Sequence, residues 1–195
     1  MTDSQEKYLV ILDRDGVINV DSDTYIKSVD EWQALPGSIE AIAALCAGGY
    51  RVAVATNQSG LARGYFDEYA LAQMHNHMNS LVEAAGGAID VIAYCPHGPD
   101  EGCDCRKPQP GLLDEIASAL QVPLAGAWFV GDTSKDIEAA RARQCQPLLV
   151  RTGKGAATEL ALAGSKHAAP VFDDLAAAAR WILQRPAAAE EGITP

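Results

Sequence analysis

YLVILDRDG, residues 8–16, joins an unbroken apolar run to a polar stop built from Asp and Gly. Five further runs follow the same plan: RVAVAT (51–56), IDVIAY (89–94), AWFVGD (127–132), PLLVR (147–151) and PVFDD (170–174). Continuous apolar strands of this kind belong to parallel sheets covered on both faces, because alternation is needed only where one face meets water. Between them lie helix-length, Ala- and Leu-rich segments at 38–47, 67–85, 111–120, 134–143 and 175–183. Pro36-Gly37 opens the first of these, and Gly48-Gly49 and Gly86-Gly87 close the first and second. The pattern predicts an α/β fold, a Rossmann-like parallel sheet with helices on both faces.

The chain has 195 residues, 48% of them apolar and 21% charged, which suits one globular domain with a full core. We place that domain at 1–186 and expect a flexible tail over 187–195, where PAAAEEGITP loses all periodicity. With 15 basic against 26 acidic residues the net charge is −11, which removes the broad basic face of a nucleic-acid binder. No apolar run approaches the ~18 residues of a membrane span, and the polar start MTDSQEK is unlike a secretory signal. A cytoplasmic monomer with no nucleic-acid or membrane partner is therefore expected.

In a doubly wound sheet ligands sit beyond the carboxyl ends of the strands. The residues found there are Asp13, Asp15, Thr56, Asn57 and Asp132. If the extended backbone persists past the first strand, Asp13 and Asp15 face one side and Arg14 the other. Two such carboxylates suit a pair of roles, one attacking phosphorus and the other donating a proton and then activating water. They would repel a phosphate without a cation between them. Asp132, and Asp136 one helical turn later, offer hard oxygen ligands for Mg²⁺. Lys107 and the polar groups around Thr56 and Asn57 would supply the remaining positive character.

Of the five cysteines, three cluster with a histidine as Cys95-x-His97-x5-Cys103-x-Cys105. Three soft thiolates and one imidazole make a complete tetrahedral shell for Zn²⁺ with no open position, the signature of a structural site. Such an ion would order a Gly- and Pro-rich loop that buries little apolar surface, and it would fix Arg106 and Lys107 immediately after it. Cys46 and Cys145, in apolar surroundings, are expected to serve packing.

LDRDGVIN, TNQSG, CRKP and GDTSKD, in this order and strand context, resemble the four motifs of the haloacid dehalogenase-like phosphatases. The resemblance implies Asp13 as nucleophile, Asp15 as general acid/base, and Thr56 and Lys107 as the phosphate-binding pair. It also implies Mg²⁺ held by Asp13, Asp132 and the backbone carbonyl of Asp15. Neither segment between the motifs has room for the cap domain common in that family. Specificity must come from short loops, for which Asp21, Asp23, Thr24, Tyr25, Asn57, Gln58, Ser59, Arg63 and Arg106 are the candidate substrate contacts. DRDGVINVD, TNQSGLARGYF and the cysteine run resemble the branch that removes the 7-phosphate of heptose 1,7-bisphosphate on the way to nucleotide-activated heptose for lipopolysaccharide. The implied partner is a small phosphorylated sugar. Histidinol-phosphate phosphatases share the chemistry and a similar zinc loop, and a phosphotransferase or a binding module on the same fold also remains open.

Overall fold

The computed structural model describes residues 8–165 and 168–185. Six strands form one sheet: β1 (Leu9–Leu12), β2 (Arg51–Asn57), β3 (Val91–Cys95), β4 (Trp128–Gly131), β5 (Gln146–Val150) and β6 (Val171–Phe172). Their order is β3-β2-β1-β4-β5-β6 and every pairing is parallel, with Ile11 opposite Ala53 on one side and Phe129 on the other. This is the doubly wound order, and the order in which the chain adds strands reverses between β1 and β4. The predicted fold class is observed.

The burial of β1 shows why its sequence has no polar residue. Val10 and Leu12 enter a core shared with α1 (Ser38–Ala47), α2 (Glu68–Ala84) and α6 (Leu175–Leu183), while Leu9 and Ile11 enter a second core under α3 (Gly111–Leu120) and α4 (Ser134–Ala142). All four side chains are almost fully excluded from water. Asp67 and Asp174 start α2 and α6 by accepting the N–H groups of Ala70 and Ala177, as N-caps do. Cys145 is buried in the second core, and half-buried Cys46 donates its thiol to the Ala88 carbonyl.

A sixth helix, α5 (Gly155–Leu162), was not expected. Only Gly155 of its residues is buried, so it carries no apolar stripe from which a helical period could be read. β3 also begins two residues later than predicted, because Asp90 is used ahead of the ladder, its carboxylate accepting the Val52 N–H. Among the described residues α1 is the single α-helix between β1 and β2, and α2 the single one between β2 and β3. No helix there is long and apolar enough to cross a membrane. The tail at 187–195 lies outside the described residues.

Ile42 of α1 is fully buried between the sheet and α6. Ile42→Ala is expected to lower unfolding free energy by about 2–5 kcal/mol in urea denaturation, the usual cost of such a cavity.

Candidate active site

The strand order assembles the site. Across the carboxyl edge come, in turn, the loop after β3 with Lys107, the end of β2 with Thr56, then Asp13 after β1, Asp132 after β4, and the 152–154 turn after β5. Lys107, Thr56, Asp13, Asp132 and Lys154 of that turn line a cleft of about 280 Å³ together with Arg14, Asp15, Asp21, Asp23, Tyr25, Asn57, Gln58, Ser59, Arg106 and Lys135.

Lys107 is 2% exposed, and its ammonium meets Asp13 Oδ1 at 2.9 Å, Asp136 Oδ1 at 2.6 Å and the Ala55 carbonyl at 2.8 Å. Burial opposes its charge, but the two carboxylates outweigh burial and raise its pKa. Asn57 pins the same residue through its amide, donating to the Lys107 carbonyl and accepting the Lys107 N–H. Asn57 is therefore a fastener between β2 and the loop after β3, where it also lines the cleft.

Asp13 is held well above the ordinary carboxylate range by burial and by the nearby charges of Asp136 and Asp132, with Lys107 pulling the other way. Asp132 is pushed up to about 7, by burial first and then by Asp136. One Asp132 oxygen accepts the Lys154 N–H at 2.7 Å. Thr158 donates to the Asp132 carbonyl, and Thr152 to the Gly16 carbonyl. Gly16 must be glycine at φ +83°, since a Cβ there would stand 2.3 Å from Asp132 Oδ2.

Asp15 departs from the expected geometry. β1 ends at Leu12 and Asp15 bridges instead to Asn19, so strand alternation does not continue. Arg14, expected on the opposite side, turns back and grips both Asp15 oxygens through Nη2, at 2.8 and 3.0 Å. Asn19 and Gln58 amides donate to the same carboxylate. Burial would raise the Asp15 pKa, but Arg14 and these donors overcome it and lower it. Arg14 is itself only 1% exposed, and its Nη1 lies 3.4 Å from His75 Nε2 on α2. A guanidinium can only donate, so Nε2 must accept and His75 must be neutral. Burial and the Arg14 charge lower its pKa to about 4.

The cysteine loop closes on itself. Cys95 Sγ lies 3.6 Å from His97 Nδ1 and from Cys103 Sγ, and 3.2 Å from Cys105 Sγ. Cys105 Sγ lies 3.5 Å from Cys103 Sγ and 3.3 Å from His97 Nδ1. With Zn–S near 2.3 Å and Zn–N near 2.0 Å, a tetrahedral ion has ligand edges of roughly 3.5–3.8 Å, so the four atoms fit zinc. Arg106 leaves this loop toward the cleft, with Nη1 donating to the His97 carbonyl.

Two predicted contacts stand apart. Thr24 and Arg63 are exposed and do not line the cleft, although Tyr25 beside Thr24 does, at φ +66° with its ring 5.0 Å from that of Tyr65. Reading the sequence missed Arg14, Asn19 and His75 around Asp15, and the Thr152-Gly153-Lys154-Gly155 turn behind Asp132. The TGKG turn did carry a signal, because it too directly follows a strand.

An HAD-hydrolase-like family model matches residues 104–178. The D-glycero-beta-D-manno-heptose-1,7-bisphosphate 7-phosphatase of Pseudomonas aeruginosa is 57% identical over 178 residues, covering 90% of this chain and 98% of its own. The chain belongs to this heptose bisphosphate phosphatase family. A second member, from Bordetella bronchiseptica, is 52% identical over 176 residues, 90% of this chain and 98% of its own. The solved D,D-heptose 1,7-bisphosphate phosphatase from B. bronchiseptica, complexed with magnesium and phosphate, superimposes with a TM-score of 0.86 at 51% identity, covering 91% of this chain and 98% of that one. The corresponding Burkholderia thailandensis structure gives 0.71 at 44% identity, covering 92% and 100%.

The carboxylate cluster suits the hard cation in the first of those structures. Oxygens of Asp13, Asp132 and Asp136 lie within 4.8 Å of one another, and a set made wholly of oxygen donors fits Mg²⁺. Asp136 has both oxygens engaged: one meets Lys107, and the other accepts from the Thr133 N–H and hydroxyl at the start of α4.

The His75 shift sets an acid limit on stability. Its folded pKa, about 4, lies below the unfolded value of 6.5, so the unfolded chain takes up the proton first. Stability is full above pH 6.5 and falls as pH drops toward 4, by up to about 3 kcal/mol from this residue. Comparing urea unfolding of the wild type and His75→Gln across pH 7 to 4 should show the wild type losing its advantage in that window; parallel curves would refute this.

Proposed function

We propose that this chain hydrolyses the 7-phosphate of D-glycero-D-manno-heptose 1,7-bisphosphate, as a Mg²⁺-dependent enzyme of nucleotide-activated heptose synthesis working in the cytoplasm. The observation that carries the reading is the meeting of Asp13, Asp132 and buried Lys107 at the sheet's switch point, in a chain 57% identical to a phosphatase of that name. The same identity favours the heptose substrate over histidinol phosphate.

Each side chain then has a task. Asp13 attacks phosphorus as its ester P–O bond breaks, giving an aspartyl phosphate. Asp15 gives a proton to the leaving oxygen and takes one back from the water that attacks the intermediate, releasing phosphate and restoring Asp13. The clamp from Arg14 keeps Asp15 ionised in the free protein, and the negative charge of a bound phosphate pushes its pKa back up toward that task. Lys107 and Thr56 face the transferring phosphoryl group, and Arg106 grips substrate from the zinc loop. Asp13, Asp132 and the Asp15 carbonyl would hold Mg²⁺, which when bound offsets phosphate charge and orients it. We give Asp136 the separate task of positioning Lys107. Asp21, Asp23 and Tyr25 suit sugar hydroxyls.

A direct comparison of kcat/KM on heptose 1,7-bisphosphate and histidinol phosphate tests the substrate, and a preference for histidinol phosphate would overturn it. Asp13→Asn should abolish turnover while phosphate-ester binding survives, since an amide is no nucleophile but keeps the shape. Wild-type turnover in that variant would defeat the mechanism.

Brief EDTA treatment should remove activity in a form that Mg²⁺ alone restores, while metal analysis still finds about one zinc per chain in the Cys95, His97, Cys103 and Cys105 shell. Protein free of zinc yet fully active would contradict the structural role of that loop.

A further inference from the structure

The cleft carries two lysines that the chemistry above leaves unused, Lys135 at the start of α4 and Lys154. Lys154 follows β5 and tethers Asp132 with its backbone N–H, while its ammonium extends to the cleft mouth. There, among the described residues, its ion pairs are with the carboxylates of Asp21 at 3.2 Å and Asp23 at 3.9 Å, and its side chain stays 56% exposed.

A bisphosphate brings one phosphate to Asp13 and must carry the other into the same cleft. The buried cations cannot serve it. Lys107 is enclosed by Asp13, Asp136 and the Ala55 carbonyl, and Arg14 by Asp15, Gln58 and His75. Thr133, the residue after Asp132, has no charge and gives its hydroxyl to Asp136. Arg106 stands on the β3 flank and Lys135 follows β4, the strand next to β1, whereas Lys154 follows β5, one strand further out. Two strand spacings of ~4.8 Å put β5 about 10 Å from β1, a distance on the scale of the two ends of a seven-carbon sugar.

We propose that Lys154 is the specificity-determining cation that receives the non-reacting phosphate, exchanging Asp21 and Asp23 for phosphate oxygens. This rests on the bisphosphate reading above. The exchange is favourable in kind, because an exposed Lys–Asp pair holds little energy and a phosphate dianion offers three strong acceptors around one ammonium. Asp21 and Asp23 hold the ammonium at the mouth until substrate arrives and give like-charge resistance to anions that lack a sugar to fill the loop.

The test measures kcat/KM on heptose 1,7-bisphosphate and on heptose 7-phosphate for the wild type, Lys154→Met, Lys154→Arg and the double variant Lys154→Met/Asp21→Asn. The ratio of the two substrates should fall roughly 10- to 100-fold in Lys154→Met, mostly through KM for the bisphosphate, as loss of uniform binding requires. Lys154→Arg should restore most of it, and the double variant should remain low. A ratio within twofold of wild type in Lys154→Met overturns the assignment. Recovery in the double variant also overturns it, since Lys154 would then only be offsetting Asp21. A wild-type enzyme that fails to act on the bisphosphate overturns the substrate reading and the proposal with it, a result visible before any variant is made.

Discussion

One buried ammonium holds this site together. Without Lys107, the carboxylates of Asp13, Asp132 and Asp136 would face one another in a region nearly closed to water. Breaking a buried pair by removing one partner costs about 3–5 kcal/mol, because the remaining charge is left uncompensated. Lys107 reaches Asp13, two strands away in the sheet, and Asp136, after the third, so its backbone must be fixed as firmly as its side chain. Asn57 does this from β2 and the cysteine cluster does it from the loop after β3. The Cys/His shell, which includes no cleft-lining residue, thereby takes part in the charge balance at Asp13.

Asp15 shows a second constraint of the same kind. A carboxylate two residues from the nucleophile must be held without help from the strand ladder, which has ended at Leu12. Arg14 supplies that hold, but a buried guanidinium needs acceptors of its own, and Gln58 Oε1 and His75 Nε2 provide them. The neutral state of a histidine on α2 is in this way set by the needs of a carboxylate after β1.

The sequence was most legible where one physical cause acts alone. Unbroken apolar runs in YLVIL and RVAVA have few readings besides buried parallel strands, and residues following such strands must gather at one edge. Asp13, Thr56 and Asp132 were found that way, Lys107 was found from its place after the cysteine run and in the CRKP motif, and the spacing of Cys95, His97, Cys103 and Cys105 was enough to bring their ligand atoms together. Arg14 was misplaced because alternation was carried past the point where the ladder stops. His75 and Asn19 lie on a helix and in a turn whose local patterns are ordinary, and only tertiary packing brings them to Asp15. α5 left no trace because a helix that buries almost nothing needs no apolar period. Thr24 and Arg63 were named because their loops resemble the family's substrate-binding segments, and a match of segments does not fix which way a single loop residue points.

The molecule is also strongly two-ended. Left-handed turns at Gly49, Gly86, Gln121, Gly126 and Gln144 carry the chain from helices back into strands at the edge away from the cleft. At Gly49, Gly86 and Gly126 there is open space where a side chain would start. That edge provides none of the cleft-lining residues. It is the natural place to tether the protein to a solid support or to graft a reporter domain, since the attachment would sit a full strand length from the phosphorus and leave the mouth facing outward.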